Sequence, residues 1–226
     1  MYFLFLLLSS ALAYLAGSIN FAILVSRWAR GIDIRNVGNK NPGTSNVGRE
    51  IGRGWAAIVL AGDLAKGLAP LILARLLFFQ AENYAGSFAL FLTGMAAIAG
   101  HAWPVYFRFR GGGGLATSIG IYMFFIPVEF FISMLIGFIL VQLFFSKEKY
   151  PVGQLTPMFF VTLAPLIVIL GKLLPETNTF GVIIFKGHPW YVITGVIALS
   201  VFILFINIRI VLARFTKTNS QKNQTG

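Results

Sequence analysis

Long apolar runs, each interrupted by a short polar stretch, set the organisation of this 226-residue chain. Met1 to about Val25 is the first run, about Gly54 to Phe79 the second and about Ser87 to Phe107 the third. About Gly153 to Leu170 and about Trp190 to Val211 are the last two. Apolar runs of roughly 18 residues or more predict transmembrane helices, because such a helix crosses the hydrocarbon core while satisfying its own backbone. The run from Leu115 to Phe145 is too long for one simple span and contains Pro127. It reads as one kinked helix, or as two shorter segments that turn back at the proline. Lys147 and Lys149 follow it and favour two segments, which brings the expected total to seven. The predicted fold is an all-α polytopic membrane protein. A membrane domain is expected over 1–214, followed by a polar, disordered tail over 215–226.

Composition supports one integral membrane domain: 57% of the residues are hydrophobic and 11% charged, too little polar surface for a soluble chain of this length. The formal charge of +11 would suggest nucleic acid in a soluble protein. In a membrane protein it reads as lysine and arginine that fix orientation, and no nucleic-acid partner is expected. Arg27, Arg30 and Arg35 follow the first run, so the next loop is expected in the cytoplasm and the N-terminus outside. Arg209, Arg214, Lys217 and Lys222 place the tail inside. Glu82 to Tyr84 and Gly171 to Pro189, with Lys172, Glu176 and Lys186, then form outer connections. Ala11-Leu12-Ala13 resembles a cleavage site, yet no lysine or arginine precedes the run and the run continues past it. An uncleaved span is the expectation. The absence of cysteine removes disulfides, thiolate nucleophiles and zinc–thiolate sites.

The stretch Ile34 to Arg53 stands apart from the apolar runs. It is rich in glycine and asparagine and carries Arg35, Lys40, Arg49 and Arg53 against Glu50. Exposed backbone N–H groups beside positive charge suit a phosphate. Arg108 and Arg110 precede the quartet Gly111–Gly114, which opens the next apolar stretch at Leu115 to Ser118. This is a second possible anion cradle on the same face, or simply a flexible connection. It lacks the Lys-Ser/Thr pair of a Walker A loop. Asp63 and Lys66 sit three apart within a span, where two ions must pair or face a polar cavity. Lys66 therefore reads as half of a structural ion pair or as the rim of an anion site. His101 and His188 are not followed by an acid at the fifth position, which holds Tyr106 and Ile193. That argues against a general base whose acid partner follows the histidine at that spacing, and no His/carboxylate cluster suggests a metal.

Three segments carry a resemblance. Gly17-Ser18-Ile19-Asn20-Phe21, Gly31-Ile32-Asp33-Ile34-Arg35 and Gly38 to Arg49 form the first. Asp63-Leu64-Ala65-Lys66-Gly67 is the second, and Gly100 to Val105 with Phe109 to Thr117 the third. In order, they resemble the motifs of the bacterial acyl-phosphate:glycerol-3-phosphate acyltransferases, the PlsY family. The resemblance covers about residues 10–125. It implies a seven-helix membrane enzyme of the bacterial inner membrane with a cytoplasmic active site. The reaction it implies moves an acyl chain from acyl phosphate to the 1-hydroxyl of glycerol 3-phosphate, giving lysophosphatidic acid and phosphate, without a cofactor.

Carried over by resemblance, Arg49, Asn41 and Asn207 are the expected catalytic residues. Expected substrate contacts are Gly38, Asn39, Lys40, Gly43, Thr44, Ser45 and Asn46 in the first loop, with Lys66, His101, Arg110, Gly111, Gly112, Gly113, Gly114 and Thr117 beyond it. Backbone N–H groups around Gly38 to Gly43, with Asn41, Asn46 and Arg49, would stabilise the oxyanion. The departures are Asn39 for a serine, Lys40 for a glycine, Gly113 for a lysine, Val152 for a serine and Leu204 for a histidine. They keep a second reading open, a catalytically silent or acceptor-altered relative that binds lipid or regulates a partner. A small-anion transporter is a third class, without the repeated halves that transporters show.

Overall fold

The computed structural model describes residues 1–80, 83–145, 152–173, 178–179, 182–183 and 187–222. The chain is an α-helical membrane protein. Its helices are α1 (Tyr2–Ser18), α2 (Phe21–Arg30), α3 (Thr44–Glu50), α4 (Arg53–Leu77), α5 (Tyr84–Ala102), α6 (Leu115–Phe125), α7 (Pro127–Phe145), α8 (Val152–Leu173) and α9 (Trp190–Lys222). One minimal antiparallel ladder pairs Asn178 with Ile183 and Thr179 with Val182. Among the described residues, six helical stretches are long and apolar enough to cross a bilayer. The seventh apolar segment, α6, has 11 residues and reaches roughly half the hydrocarbon thickness. Glu82, Lys147, Lys149, Tyr150, Pro151, Glu176 and Lys186 lie outside the described residues.

The break expected near Pro127 is present. Ile126 leaves the helical region at φ −143°, ψ 57°, and Pro127 opens α7 as its first residue. Proline is favoured there because its missing N–H has no helical partner to lose. α6 packs on α4, whereas α7 packs on α8. At the C-terminus α9 runs from Trp190 to Lys222. Extending an anchored helix fixes few dihedrals per added bond.

The first run is two helices rather than one. α1 ends at Ser18 and α2 restarts at Phe21, with the Asn20 side chain accepting from the N–H of Ile23. The free Ile19 carbonyl takes a hydrogen bond from Lys66 Nζ at 2.8 Å. A broken helix among apolar spans requires such a partner. α2 then turns Ala22, Ile23 and Val25 inward, exposes Trp28, and stops at Gly31, whose φ of 65° is the left-handed cap.

Glycines let helices approach to backbone contact. A Cβ on Gly17 would meet the Ala97 carbonyl and one on Gly100 the Tyr14 carbonyl, which locks α1 against α5. Ser9 and Thr93 share a hydrogen bond across the same crossing at 3.1 Å. Gly67 faces the Thr117 carbonyl and Gly120 the Leu64 carbonyl, which seats α6 on α4. Small residues at such crossings are the usual membrane solution. Gly120→Val is expected to destabilise the protein by about 1–3 kcal/mol, read as a lower melting temperature in detergent. An unchanged melt would remove close approach as the reason for glycine.

Two apolar clusters flank the polar loops. Leu71, Phe91, Ile98, Tyr122, Phe130, Phe160 and Leu199 fill the bundle. Ile23, Ile34, Val47, Ile51 and Val59 lie beneath the segment 34–53 and hold it on α2 and α4.

Candidate active site

The segment from Ile34 to α3 is knitted by its own side chains. Asn46 is 1% exposed. Its Nδ2 donates to the carbonyls of Ile34 and Val37, and its Oδ1 accepts from the Asn39 N–H at 3.2 Å. Gly38 turns at φ 59°, and a Cβ there would strike Asn46 Oδ1 and Glu50 Oε1. The N–H of Lys40 goes to Val37, that of Asn41 to Asn39 Oδ1 and that of Gly43 to Asn41. Most N–H groups from Asn39 to Gly43 are thus committed inside the loop. The expected backbone cradle over Asn39 to Gly43 is not open, because its N–H groups are used within the loop.

The glycine quartet is a packed strap rather than a flexible connection. Gly111 and Gly112 donate their N–H groups to the carbonyls of Ala102 and His101. A Cβ on Gly112 would meet His101 Nε2 and the Pro42 carbonyl, and one on Gly113 would meet Asn207 Oδ1. Asn207 Nδ2 donates to the carbonyls of Gly113 and Ile203, both at 2.8 Å. Asn207 therefore ties α9 to the strap and keeps only its Oδ1 as an acceptor. Arg35 ties the two loops at the other side, donating from Nη1 to the Phe107 carbonyl at 3.1 Å and the Arg110 carbonyl at 3.3 Å.

These contacts enclose a chamber of about 440 Å³. Asn39, Asn41, Gly43, Thr44, Ser45 and Asn46 line it from the first loop, with His101, Gly113, Gly114 and Asn207 from the other elements. Thr44 Oγ1 is buried without a hydrogen-bond partner. Leu60, Leu115, Ile119, Met134, Phe138, Pro157, Met158 and Phe160 make its apolar walls. Phe160 is fixed edge-on by Tyr122 and Phe130, with ring centroids 5.6 and 5.4 Å away. Asp63, which sequence reasoning did not assign to the site, also lines the chamber. Its Oδ1 is 2.8 Å from Lys66 Nζ and 3.6 Å from His101 Nδ1.

A second cavity of about 480 Å³ lies on the other side of the strip Asn39–Gly43. Its wall holds Asp33, Arg35, Asn36, Lys40, Pro42, Arg110 and Gly111. The two loops thus meet, as expected, but the expected residues divide. Lys40, Arg110 and Gly111 face the second cavity. Gly38, Arg49, Lys66, Gly112 and Thr117 line neither. Arg49 is exposed on α3, because Val47 packs inward and Arg49 lies about 200° further round the helix. It keeps a 3.4 Å contact to Asn46 Oδ1. Lys66 is held by Asp63 and the Ile19 carbonyl, so the structural ion pair describes it. Thr117 is fully buried at the α4–α6 crossing.

Outside the membrane-spanning helices, Asp33 is held well below the usual carboxylate range by hydrogen bonds from Arg35, with Arg27 adding to them. Its folded value is depressed, so the stability it contributes is complete above about pH 4 and lost only as pH falls through that lowered value. The Asp33–Arg35 brace, at 2.7 Å, is intact at neutral pH.

Comparison with known proteins places this geometry. The sequence pattern described as glycerol-3-phosphate acyltransferase matches residues 7–218. A glycerol-3-phosphate acyltransferase of Azotobacter vinelandii is 36% identical over 182 residues, 79% of this chain and 90% of that one. One from Rubrobacter xylanophilus is 49% identical over 109 residues, 48% of this chain and about half, 51%, of that protein. The crystal structure of PlsY (YgiH), an integral membrane glycerol 3-phosphate acyltransferase, in its glycerol 3-phosphate form superposes with a TM-score of 0.72 at 26% identity, over 94% of this chain and 92% of that one. With the family pattern running nearly end to end and the fold shared over the same length, the chain belongs to the glycerol-3-phosphate acyltransferase family.

Proposed function

We propose that the protein moves a fatty acyl chain from acyl phosphate to the 1-hydroxyl of glycerol 3-phosphate, giving lysophosphatidic acid and inorganic phosphate for phospholipid synthesis. The observation that carries this reading is the single chamber with amides and a hydroxyl at one end and apolar walls from α6, α7 and α8. That division of surface suits an acyl phosphate, whose head is polar and whose tail is not. The structural relative is described in a glycerol 3-phosphate form and a lysophosphatidic acid form.

Acyl phosphate is a mixed anhydride, so the acceptor can attack it without an enzyme nucleophile. The hydroxyl oxygen bonds to the acyl carbon, the carbon–oxygen bond to phosphate breaks, and phosphate leaves with the electron pair. The hydroxyl proton passes to the departing phosphate. The chain's task is to align the reactants and place donors where charge develops. Asn39, Asn41 and Thr44 supply such donors at the polar end. Asn207 offers its Oδ1 to orient the hydroxyl, since both its amide hydrogens are engaged. The arginines after the first and third spans support a cytoplasmic position for this end of the chamber.

Purified protein in detergent is expected to make lysophosphatidic acid from glycerol 3-phosphate with palmitoyl phosphate, and none with palmitoyl-coenzyme A. Asn41→Ala is expected to lower kcat by about 10²-fold, the cost of one lost oxyanion donor. Product no greater than in protein-free micelles would reject the activity, and equal use of the thioester would reject the donor.

A further inference from the structure

We propose that the second cavity is a binding site for a phosphate monoester dianion, held between Lys40 and Arg110 and separate from the chamber. Its assignment to the acceptor's phosphate rests on the activity proposed above; the anion site itself does not. The strip between the cavities alternates. Asn39, Asn41 and Gly43 face the chamber, whereas Lys40 and Pro42 face the second cavity. The loop therefore presents neutral amides on one side and positive charge on the other.

The charge of the second cavity is not internally cancelled. Asp33, the only carboxylate among the described residues that line it, is engaged by Arg35 at 2.7 Å and by Arg27 at 2.9 Å. The guanidinium of Arg35 is committed on every nitrogen, with Nε and Nη2 on Asp33 and Nη1 on the carbonyls of Phe107 and Arg110. Lys40 and Arg110 have no ion pair among the described residues and are exposed to the cavity. Two unspent cations in one concave site match a dianion, and Arg110 can bind two phosphate oxygens at once. Lys40 also stands at φ 62°, in the left-handed region that a glycine would occupy without strain. Chain conformation alone gives no reason for a lysine there.

Such a site concentrates a soluble phosphate monoester beside the chamber, a focusing effect that salt weakens. Glycerol 3-phosphate and the phosphate head of lysophosphatidic acid share that chemistry. Binding is therefore measured without acyl donor, on the full chain in micelles at low salt, by equilibrium dialysis of glycerol 3-phosphate and inorganic phosphate. Lysophosphatidic acid in mixed micelles is the second arm.

Lys40→Gly/Arg110→Gln is expected to weaken binding at least tenfold, with Arg108→Gln within twofold of wild type. Lys40→Gly relieves the positive φ, so an unchanged or higher melting temperature separates lost binding from lost fold. Lys40- and Arg110-dependent binding confined to the lysophosphatidic acid arm would keep the site and assign it to the product. Equal affinity of wild type and double variant in both arms would overturn the proposal. Anion binding through these residues in a protein that makes no lysophosphatidic acid would retain the site and reject the activity. Turnover in the double variant with an unchanged KM for glycerol 3-phosphate would do the reverse.

Discussion

Lys66→Met alone is expected to cost the fold about 3–5 kcal/mol, the largest loss from a single conservative-volume change in the bundle. The ammonium lies within α4, its side chain 4% exposed, 2.8 Å from an Asp63 carboxylate that is 1% exposed. Removing it leaves a carboxylate inside the bundle with, among the described residues, only His101 in reach at 3.6 Å. It also strips the Ile19 carbonyl of its donor at the break between α1 and α2. Asp63→Leu/Lys66→Met is expected to recover most of the loss, because a buried pair replaced as a unit leaves no lone charge. A residue of about 1–3 kcal/mol remains for the orphaned carbonyl. Thermal melts of the four proteins in one detergent complete the cycle. If the double variant melts as low as Lys66→Met, the pair does not act as a unit and this account of its role fails.

The same cluster shows where the sequence was readable and where it was not. A lysine three residues after an aspartate in an apolar run already required a partner or a cavity, and the partner is there. What spacing could not reveal is that Ile19, at the break between α1 and α2, supplies the acceptor, since that break falls inside a stretch that reads as one span. The break is made by Asn20, an N-cap disguised as one polar residue in a span. Pro127 was legible because a proline inside a long apolar run would cost a helical bond and so marks a kink or a fresh helix start. The meeting of the two glycine-rich loops was legible from their common sidedness. Their division into two cavities was not, because it depends on the alternation of side chains along five loop residues and on the turn of α3 that sends Arg49 outward. The apolar walls from Met134, Phe138, Met158 and Phe160 carry no motif at all. In a chain this apolar, a substrate wall and a lipid-facing surface have the same composition.

Asn46→Leu is expected to reduce kcat/KM by 10²-fold or more and to destabilise the protein by about 2–4 kcal/mol, through unmet hydrogen bonds rather than lost volume. Leucine is close to asparagine in size but can neither donate nor accept. The carbonyls of Ile34 and Val37 would lose their shared donor, and the Asn39 N–H its acceptor. Ile34 and Val47 are fully buried, so water cannot replace those partners without opening the cluster beneath the loop. Asn39 and Asn41 would then lose their register on the chamber side, and Lys40 its register on the other. Both kcat and the KM values for the two substrates should worsen together, which separates Asn46 from a residue that touches one ligand. Hydrogen exchange over residues 36–46 should accelerate in the variant while that of α5 and α9 stays slow. Near-native turnover in Asn46→Leu would mean that the loop holds its shape through the apolar seat of Ile34 and Val47 alone, and the side-chain knot would have to be discarded as the cause of the site's geometry.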